Sequence, residues 1–220
     1  MKSLLMLIAI LTLAATAAAN PLIFCDWEDW GCEGFTVLAT AGQGPMPIFA
    51  ARVGAPDPVH TMFGGVKSLR LINNSPDIVP EAYISYVYGL QPGDRVGMEM
   101  AIYDETPDGP PTVSIWGHWC LNLPGDPHTI AMDAGGVDNP GTEAGWSMVT
   151  CYWTVPDLPV GPGLGLVIKV RVGDMPGDRV WIDDLFVGAS CHGGCTWVSP
   201  CWYSVENETT TWSDVKSLYR

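Results

Sequence analysis

Between Asn20 and Gly188 the chain has almost no helical periodicity. Apolar residues fall instead into short runs rich in Val, Ile, Tyr, Trp and Met, each closed by Gly, Pro, Asn or Asp. "SLRLIN" and "AYISYVY" are two such runs, and "GLQPGD" follows them as a tight turn. "RVGMEMAIYD" alternates, with Val96, Met98, Met100 and Ile102 on one face and Gly97, Glu99, Ala101 and Tyr103 on the other. "TVSIWGHWCLNL" and "GWSMVTCYWTV" come next. "GLGLVIKVRVG" alternates again, with Leu166, Ile168, Val170 and Val172 opposite Val167, Lys169 and Arg171. Many short strands without intervening helices predict an all-β fold, an antiparallel sandwich or barrel. The 25 Gly and 19 Pro suit such a strand-and-loop architecture.

The chain divides into three parts. Residues 1–19, "MKSLLMLIAILTLAATAAA", join an early lysine to an unbroken apolar run and a small-residue end, the pattern of a secretory signal peptide. The run is short for a membrane span and no stop-transfer charges follow it. Residues 20–188 form the β domain. In the tail, residues 189–220, "ASCHGGCTWVSPCWYSVENE" is Cys- and Trp-rich, and "TTTWSDVKSLYR" has the spacing of a short C-terminal helix. The expected location is therefore extracytoplasmic, secreted or at the cell surface, and the tail is a candidate for a cell-surface or sorting partner. A net charge of −14 disfavours nucleic acid and anionic membranes as partners. No stretch after the leader predicts membrane insertion.

Export makes disulfides the expected state of Cys25, Cys32, Cys120, Cys151, Cys191, Cys195 and Cys201, with one left over. Local spacing suggests Cys25 with Cys32. Cys120 and Cys151, each in or at the end of an apolar run, are expected to bridge neighbouring strands. The remaining three share the tail, where disulfides are favoured over a zinc site.

"DRVWIDDLFVG" reads as a strand interrupted by two adjacent carboxylates, Asp183 and Asp184. Alternation turns one of them toward the buried side, and a bulge would swap which one. A buried carboxylate needs a partner or a cation. The plain alternative is a strand edge, with both acids solvated or bonded to backbone N–H groups.

The order of motifs is more telling than any one of them. "FCDWEDWGCEGFTV" supplies Phe24, Trp27 and Glu28, and "GGVKSLRL" supplies Gly65, Ser68 and Leu69. "YGLQPGDRV", "GWSMVTCYWTVP" and "VWIDDLFV" follow. In this order they resemble the jelly-roll carbohydrate-binding modules of the galactose-binding-like superfamily, especially those attached to secreted bacterial glycan-degrading enzymes. The resemblance covers about Phe24 to Gly188; the cysteines and the tail depart from it. It implies a jelly-roll sandwich that binds a polysaccharide or glycan without catalysis. It also implies a structural calcium held by Glu28, Asp183 or Asp184, and backbone carbonyls of the Gly65–Ser68 segment such as that of Lys67. Calcium takes six to eight oxygens, and an extracellular setting tolerates a weak site.

Sugar recognition needs aromatic faces and a few planar polar groups. Trp116, Trp119, Tyr103 and Tyr152, with Glu99 and Arg171, are the candidate carbohydrate-binding residues on central strands. For each aromatic the plainer role is packing, as for Trp27, Trp146 and Trp181. His118 and His128 read as packing or loop residues. Adjacent acids such as Asp104 and Glu105 point to opposite faces of a strand, so they make poor catalytic pairs. No nucleophile elbow, zinc-protease helix or phosphate loop is present. The chain is therefore read as a non-enzyme. The alternatives are a structural or adhesive cell-surface protein with the same fold, and a small glycan hydrolase.

Overall fold

The computed structural model describes residues 22–28, 37–38, 48–61, 64–75, 80–105, 113–138, 145–173, 175–192 and 197–199. The expected signal peptide, the C-terminal helix, Cys32, Cys195 and Cys201 lie outside them.

Twelve strands run through the described residues, with no helix: β1 (Leu22–Cys25), β2 (Val37–Leu38), β3 (Ile48–Val53), β4 (Ser68–Asn73), β5 (Glu81–Tyr88), β6 (Arg95–Asp104), β7 (Val113–Cys120), β8 (Ile130–Asp138), β9 (Gly145–Thr154), β10 (Gly165–Val172), β11 (Arg179–Ser190) and β12 (Trp197–Ser199). They form two antiparallel sheets. Sheet A has the order β3-β4-β11-β6-β9, with β1 also on β11; sheet B has the order β12-β5-β10-β7-β8, with β2 also on β5. The fold is the expected jelly-roll β-sandwich. The tail contributes to it, because β12 pairs with β5.

The alternation read from the sequence sets the inner faces. Val96, Met98, Met100 and Ile102 of β6 meet Leu166, Ile168, Val170 and Val172 of β10 in the core between the sheets, together with Trp119 and Trp153. Each of these side chains is buried, and burying one such aliphatic side chain stabilises by about 1.5–3 kcal/mol.

The cysteines follow the expectation only in part. Cys25 and Cys191 are each engaged in a disulfide. Cys120 and Cys151 are buried free thiols and do not form the expected bridge. Trp119 points into the core, so its neighbour Cys120 points to the outer side of sheet B, where it joins Tyr83, Leu123 and Val167. Cys151 belongs to the core between the sheets. Sheet B itself separates the two sulfurs. Burial pushes the Cys120 thiol up to about 12 and that of Cys151 up to about 11.

Candidate functional site

The outer face of sheet B is built in four rows by the pairing of β5, β10 and β7. Arg171 lies between Glu81 and Ser114, Lys169 between Tyr83 and Trp116, Val167 between Tyr86 and His118, and Gly165 between Tyr88 and Cys120. The turn after β7 folds over the last two rows. Leu123 is buried against Tyr83 and Cys120, and the Pro127 carbonyl accepts from His118 Nε2 at 2.9 Å and from the Cys120 thiol at 3.4 Å. Burial lowers the pKa of the His118 ring, so it is neutral and carries its proton on Nε2. Tyr83 stands edge-on to His118, and burial raises the pKa of its hydroxyl.

The first two rows hold the charges, with Trp116 and Arg171 partly exposed and Lys169, Tyr83 and Ser114 buried. Lys169 is only 2% exposed; its Nζ bonds Glu81 at 2.9 Å, and Arg171 Nε bonds Glu81 Oε1 at 2.6 Å. The Arg171 guanidinium lies 5.1 Å from the centroid of the Trp116 ring. The Trp116 indole N–H donates to Asp133 Oδ1 at 2.5 Å. Burial alone would raise the Asp133 pKa, but the bonds from Trp116 and the Gly135 N–H, with Lys169 and Arg171 nearby, hold it below the usual carboxylate range. Ser114 donates to Asp138 at 2.6 Å. Tyr86 and Tyr88 stack at 6.0 Å on the β5 side. The result is a half-exposed Trp held by a cation and a carboxylate, beside the paired charges of Glu81, Lys169 and Arg171.

The six expected carbohydrate residues do not share one surface. Trp116 and Arg171 meet on sheet B. Trp119 is 3% exposed and lies in the core, which corrects its assignment to an open face; it is three residues from Trp116, an odd spacing that reverses the face. Glu99, Tyr103 and Tyr152 lie on the outer face of sheet A, on paired strands β6 and β9. There Tyr103 meets Trp146 and Trp181 edge-on at 5.5 and 5.6 Å, while Tyr152 is 79% exposed. Sequence reasoning missed Glu81, Asp133 and the capping turn after β7.

The expected metal residues converge on the same face of sheet A, where Asp183 pairs with Ala101 between Glu99 and Tyr103. Residues 54–61 and 64–67 fold over its outer face. Trp181 Nε1 donates to Asp57 at 3.1 Å and Ser68 Oγ donates to the Pro58 carbonyl at 2.7 Å. A bulge resolves the Asp183–Asp184 ambiguity: three steps on β11, Asp183 to Phe186, span two on β6, Ala101 to Glu99, with Asp184 at φ 47°. Ile182 and Leu185 therefore face the core, and neither Asp does. Both acids are nonetheless buried, at 1% and 2% exposure, beneath these segments.

Their oxygens meet N–H donors. Asp183 accepts from the backbone N–H of His60 at 3.2 Å and of Asp184 at 2.8 Å, and Asp184 Oδ2 lies 2.5 Å from His60 Nδ1. Glu28 Oε1 accepts from the N–H groups of Val66 at 2.5 Å and Lys67 at 2.6 Å, tying the end of β1 to residues 64–67. Arg52 donates to the Trp27 and Glu28 carbonyls. Burial, helped by the charges of Asp184 and Asp26, pushes Asp183 up to about 8, against bonds that pull it down. Burial raises Asp184 too, with Asp26 and Glu28 adding to it and His60 opposing. As the oxygens are turned, no three His, Cys, Asp or Glu among the described residues surround a point that holds a metal ion.

No family model matches the sequence, and no curated protein matches it. By structure the chain is similar to the tandem CBM22-1–CBM22-2 domain of Xyn10C from Paenibacillus barcinonensis, with TM-score 0.51, 11% identity, and 81% of this chain and 48% of that one covered. It is also similar to the single CBM22-1 xylan-binding domain of that protein, with TM-score 0.49, 11% identity and coverage of 80% and 99%. A third similar structure is the Stig cyclase Fisc from Fischerella sp. TAU, with TM-score 0.45, 9% identity and coverage of 80% and 91%. At these identities the likeness is one of fold.

Proposed function

We propose that the chain is an exported, non-catalytic glycan-binding module whose ligand lies at Trp116 and Arg171 on the outer face of sheet B. The observation that carries this reading is Trp116, fixed between the Arg171 guanidinium and Asp133 and flanked by hydrogen-bonding groups. A ring immobilised before binding loses little entropy on contact with a sugar. The carboxylates of the face are already engaged: Glu81 by Lys169 and Arg171, Asp133 by Trp116, Asp138 by Ser114. That suits orienting hydroxyls better than acid–base hydrolysis, which needs a protonated acid beside the scissile bond. Titration with soluble xylan, mannan and β-glucan tests the reading. Trp116→Ala is expected to weaken binding of the recognised polymer about 10- to 100-fold, the usual effect of removing an aromatic anchor, while the melting temperature moves little. Full affinity in the variant, or no polymer bound by the natural protein, overturns it.

The same reading includes a structural calcium at Asp183, Asp184 and Glu28. Its support is the convergence of these acids with Asp26; burial raises Asp184, and the charges of Asp26 and Glu28 raise it further. A cation there would relieve that repulsion and tie the end of β1 to β11.

A further inference from the structure

The outer face of sheet A carries a second surface that the sheet B site does not use. Strands β6 and β9 pair without a register shift over ten consecutive residue pairs, from Arg95–Thr154 to Asp104–Gly145. Near the Arg95 end of this regular strip, Gly97 lies between Tyr152 of β9 and Gly188 of β11. Two glycines side by side leave the sheet without side chains at that point. The Tyr152 ring fills part of the gap: a Cβ on Gly97 would come within 3.1 Å of its Cε1 and 3.2 Å of its Cδ1. The ring therefore lies down on the strand, and Tyr152 is still 79% exposed. Glycine inside a strand weakens it, and often marks a place that something approaches closely.

The neighbouring rows supply polar groups. Glu99 pairs with Thr150 on one side of Tyr152, and Arg95 pairs with Thr154 on the other. All four are exposed. Their ionic charges cancel, so the rows around Tyr152 are neutral on a chain of net charge −14. Anionic polymers and membranes gain nothing there, whereas an uncharged hydroxyl-rich chain finds a flat ring, a carboxylate acceptor, a guanidinium donor and two hydroxyls.

We propose that Tyr152, lying over Gly97 with Gly188 on the next strand and flanked by Glu99, Arg95 and Thr150, is a second binding surface for an uncharged polysaccharide. It faces away from the sheet B site, so one module engages two glycan chains at once. The choice of a glycan rests on the reading of sheet B given above, but the residues are independent of it. Two-sided engagement converts weak single contacts into avidity on an insoluble matrix and into cross-linking of soluble polymer.

The test compares the natural protein with Tyr152→Ala, Trp116→Ala and the double variant. Retention on insoluble xylan, mannan and cellulose, turbidity with the soluble forms of the recognised polymer, and melting temperature as the fold control are measured together. Tyr152→Ala is expected to keep its melting temperature and its affinity for short soluble oligosaccharides on sheet B. It should lose turbidity and about tenfold in retention, with the double variant losing retention altogether. Unchanged retention and turbidity in Tyr152→Ala overturns the second surface and leaves sheet B standing. Loss in Tyr152→Ala with none in Trp116→Ala supports the second surface and removes the first. A natural protein that binds none of these polymers overturns both.

Discussion

Two clusters of buried charge lie on the outer faces of this sandwich, and they are neutralised in opposite ways. On sheet B, Lys169 is almost fully buried, and one carboxylate, Glu81, bonds both it and Arg171. On sheet A, Asp183 and Asp184 are buried equally well, but their neighbours Asp26 and Glu28 have the same sign. Removing a charge from water costs several kcal/mol unless a partner compensates it. The sheet B cluster brings its partner from the adjacent strand and is complete as folded. The sheet A cluster has N–H donors and His60 for partners, and burial raises both of its acids. The first is balanced within sheet B, while the second gathers like charges where β1, residues 54–61 and 64–67, and β11 meet.

Breaking the balance on sheet B should have the largest effect. Glu81→Gln leaves Lys169 buried without its carboxylate and is expected to destabilise by about 3–5 kcal/mol, lowering the melting temperature by roughly 2–4 °C per kcal/mol in a domain of this size. Combining it with Lys169→Met, which removes the stranded charge, should recover much of the loss. Thermal and denaturant unfolding of the three proteins measures this. If Glu81→Gln melts like the natural sequence, the cluster is not compensated as described and the contrast with sheet A collapses.

What the sequence revealed, and what it concealed, follows the same division. Alternation in β6 and β10 named the inward rows correctly, because a period of two is a local property. It also contained the answer for Trp116 and Trp119, whose odd spacing on one unbroken strand forbids a shared face. Which sheet a strand joins is not local, so Glu99, Tyr103 and Tyr152 could not be separated from Trp116 and Arg171 without the topology. The same limit hid the distance between Cys120 and Cys151. The bulge at Asp184 left only a paired acid as its signal. His60 reaches that pair from more than a hundred residues away in the chain, and nothing in its neighbourhood announces the contact.

Acidity sharpens the comparison next. Asp183 has an ordinary value of 3.8 and is pushed to about 8 by burial and its like-charged neighbours. The folded state therefore holds a proton that the unfolded chain releases. Its stabilising contribution is complete below about pH 4, declines as the pH rises through the window between the two values, and is gone above about 8. In chelator, the natural protein should lose a few kcal/mol relative to Asp183→Asn across that window. The measurement is the difference in melting temperature between the two proteins at steps from pH 4 to 9, which cancels the carboxylates they share. A difference that stays flat with pH would show that Asp183 is ionised in the folded state, and that the N–H groups of His60 and Asp184 suffice to hold it.

Calcium provides the finest test, because it competes with that proton for the same oxygens. If the cation binds where Asp183, Asp184 and Glu28 converge, stability rises with its free concentration as RT ln(1 + [Ca]/Kd), about 2.7 kcal/mol at a hundredfold excess over Kd. The gain should be larger at pH 8 than at pH 5, since at the lower pH the metal must first displace the proton. Asp183→Asn, Asp184→Asn and Glu28→Gln should each shrink the shift. Glu81→Gln, which disturbs only sheet B, should keep it in full on its lower baseline. Thermal unfolding with calcium and with chelator, at both pH values and on all five proteins, reads these out together. A natural protein indifferent to chelator at pH 8 removes calcium from this fold and leaves the proton as the sole means of neutralising the sheet A cluster. A shift that survives in all three carboxylate variants places the ion elsewhere, and one lost in Glu81→Gln would mean that the two clusters are coupled through the core rather than independent.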